Sequence, residues 1–505
     1  MVLFTKDGRL KFNQFKQKRM NHQATDGFFF RGKSAIIKYM IRFGTGGFRG
    51  VIGQSFTKEN VKKIAQALAN IYHQENAKKP ICVGYDFRSL SLESSVWISE
   101  VLLGNAIPVI LSKEPTPTPT IMEESKRFGN EFGVMITASH NPFNFNGVKI
   151  FEKDGMDAEK PLTDRLEKEI SFLSGIKECS LEEGKLKGLL KENYPLEDYL
   201  NNILSFVHIE KKAPQTKILL DPIYGTGSLT LKKILTSMGF TNINEIHGGP
   251  DVKFGGLLPN PTKDNMEKDR AFFLKGKYDI AIGTDSDCDR IAVLDEEGKY
   301  VDANEILGAL YYYLIAYRGM KGDIVKNIAS SDLLDALAHK LGYVCHQVDV
   351  GFKNISAAMK EYDALLGGEG SGGLTMRGYI FGKDSTFATA LFLEMVANLG
   401  KPVSKIIEES NKFAHFDKIV VEDSLSFENK ETILQKIGEG HFPFEREIRS
   451  VDHLNSNWKY RLQNGDWFLL RFSGTEPLVR LFLETNKENE EKGVNFLKQI
   501  KDFLS

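Results

Sequence analysis

Short apolar runs alternate with amphipathic stretches along most of the chain, a pattern that layered α/β structure produces. From Thr57 the segment TKENVKKIAQALANIY places Val61, Ile64, Ala65, Leu68, Ile71 and Tyr72 at helical spacing, which predicts a helix with Thr57 as its N-cap. ICVGYD at 81–86, the run at 108–111 and GVMITA at 133–138 read as buried strands, with a helical stretch ending at Leu103 between the first two. A second unit of this kind opens at TKILLDPIYGTG, 216–227, and reaches YDIAIG at 278–283. A third runs from DIVKNIASS at 323 through GYVCHQVDV to DALLGGEGSGG. These runs end in Gly, Asp or Ser, the residues expected where loops and sites gather at the carboxyl ends of parallel strands. The polar stretch between Lys191 and Lys217, with Pro195 and Pro214, reads as a linker. From about Lys418 the pattern changes, and WKYRLQNGDWFLLRFSGTEPLVRLFLE predicts two strands around an Asn-Gly-type turn, then a strand behind a polar loop. The resulting division is a basic extension at 1–40, α/β units at 41–200, 201–312 and 313–417, and a smaller α+β unit at 418–505.

Length and composition agree with several globular units. The chain has 505 residues, too many for one core, with 41% hydrophobic and 26% charged residues. A formal net charge of -1 argues against nucleic acid as the main partner, which a basic excess would advertise. Cys82, Cys179, Cys288 and Cys345 lie far apart with no metal-ligand spacing, so reduced thiols are expected. No apolar run is long enough to cross a bilayer and no signal-peptide pattern opens the chain, which gives a cytoplasmic address and no membrane partner as expectations. The first 42 residues carry ten Lys and Arg against Asp7 and Asp26. They read as a solvated leader, with a presequence, a surface-binding arm or an over-long start before Met20 or Met40 as alternatives.

Four loops carry candidate chemistry. TDSDCDR places Asp285, Asp287 and Asp289 at alternate positions after the run IAIG, and in an extended turn that spacing directs three hard oxygen ligands to one side, as Mg²⁺ requires. An acidic surface turn is the alternative. In ITASHNPFNFNGVKI, Ser139 follows a strand and Lys149 lies ten residues on. The serine needs a base, a metal or an electrophilic phosphoryl partner to act as nucleophile, and Lys149 can transfer protons if its pKa is lowered. A structural Asn-Pro turn, ordered by His140, explains the loop equally well. LLGGEGSGGLTMRG offers Glu369 and Ser371 to sugar hydroxyls, or is a glycine hinge. RFSGTEPLVR brackets Ser473, Gly474 and Thr475 with Arg471 and Arg480, donors suited to a phosphate, though not in a Walker arrangement; ordinary surface residues are the other reading.

With FGTGGFRG at 43–50, the loops TASHNP, DSDCDR, GEGSGG and RFSGTEP stand in an order that resembles the α-D-phosphohexomutase superfamily, over residues 41 to 505. The resemblance implies three similar α/β/α domains and a smaller α+β C-terminal domain around a central cleft. It makes Ser139 the phosphoryl carrier, with Asp285, Asp287 and Asp289 holding Mg²⁺ together with the phosphate on Ser139. Arg49 and Arg290 would flank that phosphate, and Lys149 would be the general acid/base. Lys353, Glu369 and Ser371 would contact the sugar, and Arg471, Ser473, Gly474, Thr475 and Arg480 would clamp the non-reacting phosphate. The implied partner is a phosphorylated hexose, with a hexose 1,6-bisphosphate as activating intermediate. A monomer is expected, with a dimer as the alternative. Two departures stand out: Gly373 replaces the family's histidine after Ser-Gly, and the family's Asp-Gly becomes Asp384-Ser385. GFKNI at 351–355 is similar to glucose-directed members and gives phosphoglucomutase as the expectation. Phosphomannomutase and phosphoglucosamine mutase are the near alternatives, and a metal-dependent phosphatase or a sugar-phosphate sensor the distant ones.

Overall fold

A computed structural model describes residues 41–44, 46–210, 215–439, 447–473 and 478–505. The basic extension 1–40, Gly474 and Thr475 lie outside the described residues. The expected first helix is Lys58–Gln74, where the Thr57 side chain accepts from Asn60 N at 3.2 Å. Its inward face buries Val61, Ile64, Leu68 and Ile71 against the first sheet's core.

Three sheets share one plan. In each, parallel strands are followed by one antiparallel return strand beside the last of them, and a candidate loop fills the gap. In the seven-stranded first sheet, Gly133–Ile136 runs parallel to Ile81–Tyr85 and antiparallel to Phe145–Phe151, with Ser139 in the connection. In the five-stranded second sheet, Ile280–Thr284 pairs parallel with Ile218–Asp221 and antiparallel with Ile291–Leu294, with the three aspartates between. In the four-stranded third sheet, Leu366–Gly368 pairs parallel with Ile324–Asn327 and antiparallel with Leu374–Met376, with Glu369 and Ser371 between. The last sheet is antiparallel throughout, and its hairpin of Trp467–Phe472 and Leu478–Asn486 carries Ser473. This is the expected architecture of three α/β/α domains and a smaller sheet domain; the shared plan delivers the first three loops from equivalent strand ends, and the fourth comes from an antiparallel hairpin.

The stretch read as a linker contains ordered elements. Leu190–Asn193 is the edge strand of the first sheet, pairing parallel with Val109–Ser112. Its polar residues face out from an edge, so no hydrophobic alternation marks it. Leu196–Leu204 is a helix that buries Leu196, Tyr199 and Ile203. The Tyr199 hydroxyl donates to Asp384 at 2.8 Å, and Tyr379 donates to the same carboxylate at 2.6 Å. Asp384 in turn caps the helix Ser385–Leu399 by accepting from Phe387 N at 3.0 Å. The Asp384-Ser385 departure therefore sits at a helix start, where the aspartate's role is capping and serine is tolerated at the first helical position. That helix is buried nearly all round and packs on Leu196–Leu204, Leu231–Ser237 and Ala303–Ala316. Among the described residues no helix is long and apolar enough to cross a membrane.

Candidate active site

Ser139 is fully buried, and its backbone takes the left-handed conformation with φ 48°, which is costly for a residue with a Cβ. Its N–H donates to Thr137 Oγ1 at 2.9 Å, and its hydroxyl donates to Asp285 Oδ2 at 2.7 Å. The first and second domains thus meet at this bond. The other Asp285 oxygen accepts from the backbone N–H groups of Asp289 at 2.9 Å and Arg290 at 3.1 Å, so the aspartate loop folds back on its own first carboxylate. A left-handed Cys288, φ 60°, makes that reversal.

Carboxylate oxygens of Asp285, Asp287 and Asp289 lie within 4.8 Å of one another, all buried. Asp287 Oδ1 and Asp289 Oδ1 are buried without any hydrogen-bond donor. Hard anionic oxygens left without donors in one cluster fit a magnesium ion, which takes oxygen ligands and keeps positions for water and phosphate. The remaining oxygens have partners. Asp287 Oδ2 accepts from Lys149 Nζ at 2.7 Å and Thr118 Oγ1 at 2.6 Å, while Asp289 Oδ2 accepts from Lys149 at 2.9 Å and lies 3.1 Å from Lys383 Nζ.

The charges sort themselves by these partners. Burial, followed by Asp289 and Asp287, pushes the Asp285 carboxyl well above the usual range. Burial pushes Asp289 the same way, but Lys149, Lys383 and Arg290 outweigh it and hold that carboxyl well down. For Lys149, burial favours the neutral amine, yet Asp287, Asp289 and Asp157 overcome it and raise the ammonium above its ordinary value. The condition of a lowered pKa is not met at Lys149: ion pairs with Asp287 at 2.7 Å and Asp289 at 2.9 Å favour the ammonium, the form of an acid. Burial, with Arg290, Arg49 and Lys383 nearby, holds the His140 imidazole well below its ordinary value and keeps it uncharged.

Arg49 and Arg290 are close enough for their charges to oppose each other, and Arg49 donates to Asn141 Oδ1 in the serine loop. Two guanidinium groups converging beside a serine and three carboxylates suit a phosphoryl group. In the sugar loop, Ser371 Oγ donates to Glu369 Oε1 at 2.7 Å, and Asn327 Nδ2 donates to Glu369 Oε2 at 3.2 Å. This loop is stitched to the aspartate loop, because Ile291 N donates to Gly372 O at 3.0 Å. Gly372 has φ 91°, and a Cβ there would fall 2.4 Å from Ile291 O, so glycine is required. Lys353 stands in the first turn of the helix Phe352–Tyr362 and is half-buried. Arg471 and Arg480 are direct cross-strand partners. Burial and then Arg480 lower the Arg471 pKa, while Glu369 and Asp349 of the third domain oppose that shift. The Ser473 N–H donates to Leu478 O at 2.8 Å and closes the hairpin.

Three residues absent from the sequence reading join the site. Thr118 holds Asp287 by side chain and by backbone, its N–H donating to Asp287 O at 3.0 Å. Lys383 lies across Gly373, where an added Cβ would meet its Cδ at 2.3 Å. The space in which the family's histidine begins is thus taken by a lysine stem whose ammonium reaches Asp289. Arg88 donates to the backbone of the serine loop itself. Only ICVGYDFRS, a strand end followed by polar residues, hinted at the last of these.

Comparison with known proteins places this geometry. Three family models match: phosphoglucomutase/phosphomannomutase alpha/beta/alpha domain I over residues 40–174, domain II over 197–298 and domain III over 302–413. The phosphoglucomutase/phosphomannomutase of Thermococcus kodakarensis is 28% identical, covering 90% of this chain and 96% of its own. The phosphoglucosamine/phosphogalactosamine mutase of Sulfurisphaera tokodaii is 29% identical, covering 91% and 98%. A crystal structure of a phosphoglucomutase/phosphomannomutase family protein from Burkholderia thailandensis superposes with a TM-score of 0.76 at 18% identity, covering 91% of this chain and 97% of that one. The site and fold are those of a hexose phosphate mutase, an intramolecular phosphotransferase. The chain belongs to the phosphoglucomutase/phosphomannomutase family of the α-D-phosphohexomutase superfamily.

Proposed function

We propose that the chain reversibly interconverts hexose 1-phosphates and 6-phosphates through a phosphorylated Ser139, with glucosamine or mannose phosphate preferred over glucose phosphate. The observation that carries the carrier role is the Ser139 hydroxyl, buried and 2.7 Å from Asp285 at the meeting of two domains. In the forward half-reaction the Ser139 Oγ–P bond breaks as a P–O bond forms to the free sugar hydroxyl. That hydroxyl's proton is released and Ser139 Oγ takes one up, giving a hexose 1,6-bisphosphate. Arg49 and Arg290 balance the phosphoryl charge, and protonated Lys149 presents a donor beside it. A magnesium ion on Asp285, Asp287 and Asp289 would supply further positive charge to the phosphoryl oxygens. Glu369 and Ser371 read the sugar, Lys353 adds a contact, and Arg471, Ser473, Gly474, Thr475 and Arg480 hold the distal phosphate. After the bisphosphate turns end for end, the second phosphoryl returns to Ser139.

The glucose expectation drawn from GFKNI gives way to the alternative, because the relatives are named for mannose and glucosamine phosphates more than for glucose phosphate alone. A buried Glu369 carboxylate suits this, since it accepts from a hydroxyl or from the ammonium of an amino sugar. Losing or gaining one such bond shifts discrimination by about 1–3 kcal/mol, enough to reorder related sugars. The test is kcat/KM for glucose, mannose and glucosamine 1-phosphates after priming with magnesium and glucose 1,6-bisphosphate. Mannose or glucosamine 1-phosphate should lead; a tenfold lead for glucose 1-phosphate would return the assignment to phosphoglucomutase.

A further inference from the structure

Residues 139–145 turn the chain without regular secondary structure for most of their length, so their inward-facing carbonyls need donors from elsewhere. One side chain supplies most of them. Arg88, with its side chain fully buried, donates from Nη1 to Pro142 O at 2.9 Å and Phe145 O at 3.1 Å, and from Nη2 to Asn141 O at 2.6 Å and to Ser139 O. The Phe254 ring covers the guanidinium at 4.8 Å, and Asp86 Oδ2 lies 3.5 Å from Nε. Asp86 itself is fixed by accepting from Arg88 N at 2.9 Å and Ser91 Oγ at 2.7 Å. Only a planar fork of N–H groups reaches four carbonyls at once, and a lysine ammonium has neither the span nor the number of donors.

The second half of the arrangement comes from the aspartate loop. Ser286, standing between two of the three carboxylates, donates its hydroxyl to Ser139 O, the same carbonyl that Arg88 holds. Arg88 Nη2 also reaches Ser286 Oγ at 3.3 Å. The peptide leaving Ser139 is thus gripped from the first domain by Arg88 and from the second by Ser286, at a residue whose φ of 48° would relax if released. Both side chains direct their hydrogen bonds to the serine loop's backbone and to each other.

We infer that Arg88 and Ser286 are positioning residues: together they clamp the Ser139 carbonyl, lock the carrier's left-handed backbone and register it against the aspartate loop. This rests on Ser139 being the phosphoryl carrier. The clamp fixes where the phosphoryl group sits relative to the arriving hydroxyl, so loosening it lowers the transfer rate and leaves sugar affinity unchanged. It also admits water to a phosphoserine that no longer points at its acceptor. A misplacement of about 1 Å in such a site costs up to about 100-fold in rate.

The test uses the full chain, wild type and the variants Ser286→Ala and Arg88→Lys, each primed with magnesium and glucose 1,6-bisphosphate. Four quantities are read: phosphate on Ser139 by intact mass, its loss as inorganic phosphate without sugar, kcat with KM, and the melting temperature. Ser286→Ala should melt near wild type, keep KM within about twofold, lose about tenfold in kcat and shed its phosphoserine to water severalfold faster. Arg88→Lys should show the same pattern more strongly, and Ser286→Ala keeps the inference testable if the lysine variant does not fold. Wild-type kcat and phosphoserine lifetime in Ser286→Ala would overturn the clamp, as would a loss of activity that tracks the folded fraction alone. A wild-type protein that takes up no phosphate on Ser139 would instead remove the carrier reading beneath it.

Discussion

Ser139→Ala loses hexose phosphate mutase turnover by at least about 10⁴-fold, the scale on which removal of a covalent nucleophile is felt, while the fold survives. The substitution takes away one hydroxyl, its hydrogen bond to Asp285 and its 3.3 Å contact with His140 Nδ1, together worth about 1–2 kcal/mol including the partners left behind. Asp285 keeps two backbone donors, from Asp289 and Arg290, so the aspartate loop stays formed. Alanine suffers the left-handed backbone no more than serine does. Product 6-phosphate measured against time, beside thermal melts of both proteins, checks the split between chemistry and stability. Retained turnover at the wild-type rate would mean that another group carries the phosphoryl.

Asp287→Ala should lose about 10²–10³-fold in kcat and weaken magnesium dependence, without touching the carrier hydroxyl. One of its oxygens is buried with no donor, and the other ties Lys149 of the first sheet and Thr118, which opens the helix Thr118–Phe128, to the aspartate loop. Removing the carboxylate therefore deletes an oxygen ligand and releases the ammonium and the hydroxyl at once. Lys149 retains Asp289 at 2.9 Å, so the change stays local. Titration of activity with magnesium, with manganese binding measured directly by calorimetry, separates lost ligation from lost acid. Unchanged manganese affinity would take Asp287 out of the metal set.

What the sequence made legible follows from range. Helix Lys58–Gln74 was visible because its apolar spacing and its Thr57 cap are local. The loops holding Ser139, Asp285 and Glu369 were visible because each follows a short apolar strand and concentrates polar residues in a few positions. Arg88 and Thr118 were not, since their partners stand 51 and 169 residues away and, for Arg88, are chiefly backbone carbonyls that any residue would present. Lys149 was found, but its protonation state depends on two carboxylates from another domain. Gly373 read as a lost function, and only the folded chain brings Lys383 across it. The edge strand Leu190–Asn193 escaped because its polar residues obey solvent exposure more than sheet pairing.

The central claim is that one phosphoryl group resides on Ser139 between turnovers and passes to sugar. Its most direct measurement is a single turnover of protein carrying radiolabelled phosphate from a labelled hexose 1,6-bisphosphate, mixed with excess unlabelled hexose 1-phosphate. The label should map to the peptide containing Ser139 before mixing and appear in hexose bisphosphate afterwards. Label found on another residue, or released as inorganic phosphate with none in bisphosphate, would contradict the account.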